Sequence, residues 1–256
     1  MDYEYPKNRL INVLSHVPSF IMEITILLYL NNYSEYFMTT DTAIVVLHLF
    51  SSSFYHYNSQ SIHIKTYFII DIISQMYLYL FYSFKWIALN NNSFNGYHFI
   101  YHTCIASITF VSIGQIITSD KKSFHIAERT RLIVSVITIL FGTTNMLNAI
   151  RRYNRSNKKK EQIQKRYVCL PIFFPLIGFG LYFVDSHKKQ FGSFYFHCFV
   201  YSVFIIDKLF YLKVVSPKFT IYKFKSLFHM LLASLVGFIS IGLIIKPLQH
   251  KFEGKC

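Results

Sequence analysis

Histidines and an aspartate lie at the edges of long apolar stretches in this sequence. His56 ends one apolar block, and Asp71 and His197 lie near the starts of two others. Neutral imidazoles beside a carboxylate suit Zn²⁺, with the carboxylate as a third ligand or as a group that orients a bound water. Because a catalytic zinc ion uses three protein ligands, two histidines leave the site one short. The alternative is a hydrogen-bonded polar plug between helices.

The depth of these residues in an antiparallel bundle predicts which of them meet. The end of the second block and the starts of the first, third and seventh blocks share one face, which brings His16 to the same layer as His56, Asp71 and His197. His48 lies on the same helix face as His56 but about 12 Å deeper. One zinc ion cannot bind both, because zinc–nitrogen bonds are about 2 Å long. We therefore expect His48 to be a hydrogen-bonded packing residue.

Apolar helices must position these side chains. The chain of 256 residues is 53% hydrophobic and 15% charged, whereas soluble domains carry about 25% charged residues. Its apolar residues form blocks long enough to cross a bilayer, at about 10–31, 40–57, 66–89, 97–118, 131–149, 167–184, 192–213 and 226–246. Backbone polar groups in lipid must be satisfied within each segment. The predicted fold is therefore an all-α integral membrane bundle.

The predicted bundle has seven core transmembrane helices plus an eighth. Residues 1–213 are expected to form the seven-helix bundle. Residues 214–256 are expected to form a basic loop, an additional transmembrane helix and a short tail. The blocks leave no room for a sizeable soluble domain. We therefore expect a multi-pass membrane protein whose first partner is the lipid bilayer.

The net charge of +14 comes from lysines and arginines that cluster between the apolar blocks, most densely at 151–166. That position favours a loop facing lipid headgroups and argues against nucleic-acid binding. Membrane orientation stays open, because equal numbers of basic residues fall on the two sides. The run at 151–166 favours an external N-terminus, whereas the glycosylation sequons at Asn32, Asn91 and Asn154, on the same side, favour an internal one.

Several short motifs occur along the chain in an order that is typical of one superfamily. They are "SSFYH" (Ser52–His56), the following Asp71, "NVLSHVPSF" (Asn12–Phe20) and "GLYFVDSHKKQFGSFYFHCFVY" (Gly180–Tyr201). Together they resemble the CREST superfamily of membrane proteins, which includes haemolysin III, the progestin/adiponectin receptors, the alkaline ceramidases and the myomaker-like proteins. The resemblance covers most of residues 8–213 and implies a seven-helix bundle.

The resemblance also implies a zinc site, in which the histidine of the second span joins two histidines of an H-x-x-x-H motif in the seventh. Here Ser193 and Tyr201 occupy the positions four residues before and after His197, so one histidine is missing. A substitute ligand would restore the site with reduced affinity, and otherwise only the fold remains. The implied ligands and their candidate substitutes are His56 and His197, with His16, His187 or Asp71.

Three functions are considered, of which the first two follow from the resemblance and the third from the ionisable residues inside the spans. The first is a non-enzymatic relative of the haemolysin III and progestin/adiponectin receptor group, with at most a structural metal near one membrane face. The second is a zinc-dependent hydrolase of lipid amides, in which Asp71 orients the zinc-bound water and Ser52 supports that water or the oxyanion. The third is a proton-coupled transporter or channel that uses Glu23, Asp71 and the histidines as a relay. The expected ligand or substrate is a lipid in the first two cases.

Overall fold

Long α-helices make up the described part of the chain. The structure, a computed structural model, describes residues 9–29, 36–57, 63–90, 121–186 and 192–253. These ranges contain no β-strand and form α1 (Arg9–Leu14), α2 (Val17–Tyr29), α3 (Tyr36–Tyr57), α4 (Ile64–Asn90), α5 (Lys121–Ser156), α6 (Lys165–Ser186), α7 (Gly192–Val215) and α8 (Ile221–Glu253). A 3₁₀ turn, Lys159–Glu161, lies between α5 and α6. The prediction of an all-α chain is confirmed for these residues.

The predicted apolar blocks fall on these helices, except for the block at 97–118, which lies outside the described residues. Within the described ranges, one helical segment is long and apolar enough to cross a membrane by length and composition alone. It is Ile221–Ile244, with 24 residues, a mean hydropathy of 2.2 and 28% of its most apolar window buried. That segment includes most of the predicted eighth span. The seven core spans are not shown by this criterion and stay a prediction.

Helix α7 lies at the centre of the packing, because it contacts α1, α2, α4, α5, α6 and α8. From His197 to Phe210 each of its side chains is buried, apart from the half-buried Phe199. A helix that is apolar on all sides is expected to be enclosed by other helices in this way. Side chains on different faces of α7 therefore meet different neighbouring helices.

The long helices expose large apolar side chains and also bury several ionisable ones. Large apolar side chains are exposed on most of the long helices, for example Leu28, Phe50, Tyr77, Leu176 and Val236. Soluble proteins rarely expose so much apolar surface, and they rarely bury lysine, aspartate or glutamate without a partner. The ionisable residues buried inside these helices include Glu23, Asp71, Lys85, Asp207 and Lys208.

A break separates α1 from α2 and shapes the chain around His16. Pro18 has no N–H, and its ring clashes with the carbonyl four residues earlier, so α1 cannot continue through it. The His16 N–H donates instead to the Val13 carbonyl at 3.1 Å. The Asn12 carbonyl, which an uninterrupted helix would pair with that N–H, accepts hydrogen bonds from side chains.

Helix α8 packs on α7 and on α2. The predicted division between residues 213 and 214 falls in the last turn of α7, which ends at Val215. Gly242 lies against the ring of Phe194, and a Cβ atom at Gly242 would come within 2.6 Å of that ring. The glycine therefore lets α8 approach the first turn of α7 closely, because it has no side chain to separate the two helices.

Candidate metal centre

Three buried histidines meet at one end of the bundle, and they are called the histidine triad below. His16 lies in the turn before α2, His56 in the last turn of α3 and His197 in the second turn of α7. Their ligand atoms all lie within 4.8 Å of one another. The ring centroids are 4.6 to 5.8 Å apart. The triad could therefore hold a metal ion.

The tautomer of His16 is fixed by its own turn. Its Nδ1 lies 2.8 Å from the Asn12 carbonyl, which can only accept, so Nδ1 carries the proton. Nε2 then has a free lone pair, and this buried atom has no hydrogen-bond partner among the described residues. An unsatisfied buried nitrogen is unfavourable by about 1–3 kcal/mol. A neutral imidazole with a free lone pair is also the form that binds a metal ion.

Ser15 fixes the tautomer of His197 in a similar way. The Ser15 hydroxyl donates its only proton to the Asn12 carbonyl at 2.5 Å. Its Oγ, 2.9 Å from His197 Nδ1, must then accept, which places the proton on Nδ1. His197 therefore presents an unprotonated Nε2. Histidines that bind metals usually donate their other N–H to an oxygen in this manner.

Tyr201 packs against the triad. Its ring is stacked on His197 with centroids 5.3 Å apart and planes at 17°, and it lies 5.0 Å from the His16 ring. A hydrogen bond of 2.8 Å joins its hydroxyl to His48 Nε2. Tyr201 occupies one of the two positions at which the H-x-x-x-H motif would have its second histidine. Its hydroxyl bonds to His48, and His16 contributes the third imidazole of the cluster.

His48 is buried and hydrogen-bonded, as predicted. Its Nδ1 lies 3.0 Å from Ser74 Oγ and 3.8 Å from Asp71 Oδ1. Among the described residues Asp71 therefore lies beside His48 and is not part of the three-histidine cluster. Ser52 is buried, and its Oγ is 3.4 Å from the Tyr201 hydroxyl. The predicted catalytic roles of Asp71 and Ser52 stay predictions.

The predicted ligands fall into three groups: histidines that meet, Asp71, which lies beside His48, and one histidine that the structure does not describe. His56 and His197 meet, and so does His16, one of the substitutes considered for the missing histidine. His187 lies outside the described residues. Sequence reasoning missed Ser15 and the Asn12 carbonyl. Pro18 was the available signal, because a proline early in an apolar helix marks a break at which backbone carbonyls become accessible.

Two buried ion pairs join α7 to neighbouring helices farther along the bundle. Lys208 pairs with Glu23 of α2 and donates to Thr42 Oγ1 of α3 at 2.6 Å. The neighbouring Asp207 pairs with Lys85 of α4. Of these four ionisable residues, Glu23 was named from the sequence, as a member of a proton relay, and the two lysines and Asp207 were missed. Each interrupts an apolar block, where an ionisable residue needs a partner.

No protein-family model, curated protein or solved structure matches the chain. The resemblance to the CREST superfamily therefore rests on its motifs and stays a prediction. The geometry of the triad does not depend on that resemblance. It follows from the break at Pro18, the antiparallel course of α3 and α7, and the burial of the three rings.

Proposed function

We propose that this chain is a multi-pass helical membrane protein whose histidine triad binds Zn²⁺ near one membrane face. This proposal rests on two observations. Three buried imidazoles converge, and His16 has an unprotonated, buried Nε2 without a hydrogen-bond partner among the described residues. Imidazole nitrogen is a common zinc ligand. Three protein nitrogens leave one position of a tetrahedral ion open, whereas structural zinc sites use four protein ligands. The ligand count therefore favours an open site.

The distribution of side chains supports the membrane assignment. Large apolar side chains are exposed on most of the long helices, and Ile221–Ile244 meets the length and composition of a span. Ionisable residues lie in the interior and are paired across helices, as expected inside a membrane bundle. The lipid bilayer then covers the exposed apolar surface, and a lipid is the expected ligand of the centre.

Metal analysis of the purified protein tests the zinc proposal. Wild-type protein in detergent is expected to carry about one zinc ion per chain. His16→Ala and His56→Ala are expected to lose it, because each removes one of three ligands. His229→Ala is the matched control, because His229 is an exposed histidine on α8. The same preparations are expected to stay in the membrane fraction after alkaline carbonate extraction.

Each part of the proposal can fail separately. Full zinc occupancy in His16→Ala would move the metal away from the triad. Absence of zinc from wild-type protein that has been supplied with the ion would remove the metal centre altogether. Release of the wild-type chain by carbonate would contradict the membrane assignment, whatever its metal content.

A second candidate function is zinc-dependent hydrolysis of a lipid amide, and the third histidine favours it. When bound, zinc would lower the pKa of a water molecule and polarise the amide carbonyl. The chain would contribute the buried Asp71 to orient that water and the buried Ser52 to support it. An acyl chain would reach the centre from the surrounding bilayer.

A fluorescent ceramide analogue tests the hydrolase. Wild-type protein is expected to release its fatty acid, and Asp71→Asn and Ser52→Ala are expected to be slower by about 100-fold or more. Both variants should retain zinc. Zinc-loaded wild-type protein that hydrolyses no amide would leave the non-enzymatic metal-binding function.

A further inference from the structure

The connection between α5 and α6 forms a polar surface at the end of the bundle opposite the buried triad. Arg152 donates to the carbonyl of Asn90 at the end of α4 at 3.0 Å. Glu161 accepts from Lys213 near the end of α7 at 2.7 Å. His197 and Lys213 are about 24 Å apart along α7 at 1.5 Å per residue. The connection and the triad are therefore separated by most of the length of the bundle.

This connection carries a dense group of exposed cations, called the basic platform below. Its members are all exposed side chains of the connection and the adjoining helix ends, namely Arg151, Arg152, Arg155, Lys158, Lys159, Lys160, Lys165 and Arg166. The one acidic residue between 151 and 166 is Glu161, which already bonds to Lys213. The platform therefore has a large excess of positive charge for an external anion.

The backbone beneath the platform is held in one conformation by side-chain hydrogen bonds. Asn154 accepts from the Ile163 N–H at 2.8 Å and donates to the Ile163 carbonyl at 2.9 Å. Gln162 donates to the Asn154 carbonyl at 2.8 Å, and Ile163 itself is buried. A surface that is already ordered loses less entropy when it binds a ligand. The platform is therefore better suited to binding than a flexible loop of the same charge.

Apolar side chains begin a short distance from these cations. Phe173 is exposed on α6, about 12 Å along the helix from Lys165, and Tyr222 is exposed in the first turn of α8. An anionic phospholipid offers the same arrangement, with phosphate above and hydrocarbon below. A nucleic acid or an acidic soluble protein would match the cations but leave the apolar surface beside them uncovered.

The hydrogen bonds of Asn154 also bear on orientation. Asn154 is the acceptor of an Asn-Arg-Ser glycosylation sequon. Both polar atoms of its side chain bond to the backbone of Ile163. A glycan at this position would disrupt the turn that carries the platform. The sequon is therefore a poor argument for an external loop, and the dense basic run favours a cytoplasmic one.

We propose that the basic platform binds anionic phospholipid headgroups of the cytoplasmic leaflet and thereby places the histidine triad at the opposite, extracytoplasmic face. This inference rests on the proposed multi-pass bundle but not on the presence of zinc. Anionic lipids are concentrated in the cytoplasmic leaflet, and each basic side chain near that surface adds to the attraction. The metal centre would then be accessible from the outside of the cell or from an organelle lumen.

Lipid retention tests the binding step. Purified full-length protein is equilibrated in micelles containing equal amounts of phosphatidylserine and phosphatidylcholine, and the retained lipids are counted by native mass spectrometry. Wild type is expected to prefer phosphatidylserine. In K158Q/K159Q/K160Q the ratio of retained phosphatidylserine to phosphatidylcholine is expected to fall about fivefold for each lysine removed. K121Q/K122Q/K251Q removes the same charge at the opposite end of the bundle and is expected to behave like wild type.

Three outcomes would overturn the binding step, in addition to the phosphate result given below. They are equal retention of both lipids by wild type, an equal loss of preference in both triple variants, and displacement of phosphatidylserine by an equimolar RNA oligonucleotide. Inorganic phosphate at the same concentration is expected to displace little lipid. Complete displacement by phosphate would show that the platform binds a free anion instead.

Thiol labelling of cells with a membrane-impermeant maleimide tests the orientation. Lys159→Cys is expected to react only after permeabilisation, and His63→Cys, an exposed position at the triad end, is expected to react in intact cells. Labelling of the wild-type protein gives the background signal from its own cysteines. Any other pattern overturns the orientation. A chain that carbonate extraction removes from the membrane would instead contradict the proposed function, so the two failures are distinguishable.

Discussion

Two buried polar regions lie along the same bundle, and they differ in how their polar groups are satisfied. In the interior around α7, Lys208 pairs with the buried Glu23, and Lys85 pairs with the buried Asp207. In the triad three groups of the same kind converge, and His16 Nε2 has no hydrogen-bond partner among the described residues. Each ion pair brings opposite charges together within the chain, whereas the triad brings together three groups that can each bind a cation.

This difference separates a structural role from a binding role. A buried ion pair adds little net stability but is strongly destabilising when one member is removed. Imidazoles that face one another do not complement each other in charge, and a metal ion bound between them would stabilise the folded chain. We therefore expect substitutions at the pairs to affect folding, and substitutions at the triad to affect metal binding.

Lys208→Met provides the largest expected effect. It leaves the Glu23 carboxylate buried without its cation, which should cost about 3–5 kcal/mol of unfolding free energy. The double variant Glu23→Leu/Lys208→Met should recover most of that loss, because apolar side chains of similar size often replace a buried pair without penalty. Denaturant unfolding in detergent measures both.

The same variants test whether the two regions are independent. The folded fraction of Lys208→Met is expected to bind zinc with wild-type affinity. Loss of zinc from folded Lys208→Met would show that the pair and the triad form one coupled site. A double variant as unstable as the single one would show that the pair contributes more than the neutralisation of its own two buried charges.

Ser15→Ala is expected to weaken metal binding without removing a ligand. The change takes away the oxygen that accepts from His197 Nδ1, so the ring loses the group that fixes its tautomer and orientation. Loss of such a partner typically lowers metal affinity about 10–100-fold. Competition with a chromogenic chelator measures the dissociation constant.

Ser240→Ala is the matched control for that change. Ser240 is an exposed α8 serine whose hydroxyl also donates to a backbone carbonyl, that of Val236, at 2.9 Å. Its removal should leave zinc affinity unchanged. An unchanged affinity in Ser15→Ala as well would mean that the hydrogen bond to Ser15 does not prepare His197 for metal binding.

The sequence predicted the helices and much of the polar layer, because both follow from periodic features. Long apolar runs fixed where helices lie, and counting depth along an antiparallel trace brought His56 and His197 together. The i, i+8 spacing also separated His48 from His56 correctly, since the rise of a helix is fixed. None of these steps required knowledge of side-chain rotamers.

The remaining features depend on local geometry that spacing does not contain. His16 was one of several candidate substitutes, and only the backbone break at Pro18 shows how its ring is held by the Asn12 carbonyl. Asp71 was predicted in the same layer but lies beside His48. The partner of Lys208 could not be chosen from the sequence, because helix rotation decides which acid it meets.

Tyr201→Phe is expected to have a smaller effect than either change above. It keeps the ring stacked on His197 but removes the hydroxyl that bonds to His48. A single hydrogen bond of this kind contributes about 1 kcal/mol to stability. Zinc affinity should change by no more than a few-fold. A fall as large as that of Ser15→Ala would instead indicate that the Tyr201 oxygen takes part in metal binding.

The pair Glu161–Lys213 extends the comparison to the surface and gives the smallest expected effect. Its Nζ–Oε2 distance is 2.7 Å, but the Glu161 side chain is 43% exposed, so solvent screens the interaction. The hydrogen bond from Lys213 lowers the pKa of Glu161 below its ordinary value of 4.5. A carboxylate with a lowered pKa stabilises the folded state at pH values above its unfolded pKa. That contribution is lost as the pH falls through the folded pKa.

Wild type should therefore be more stable than Glu161→Gln at pH 7 by about 0.2–1 kcal/mol, the range for exposed pairs. The difference should shrink below pH 4.5, the ordinary value for the group, and also in high salt. Unfolding of both proteins in detergent at about pH 7 and about pH 3 measures it. A difference of several kcal/mol, or one independent of pH, would mean that this partly exposed pair behaves like the fully buried pairs around α7. Burial would then not explain why the ion pairs around α7 matter more to stability than the pair at the surface.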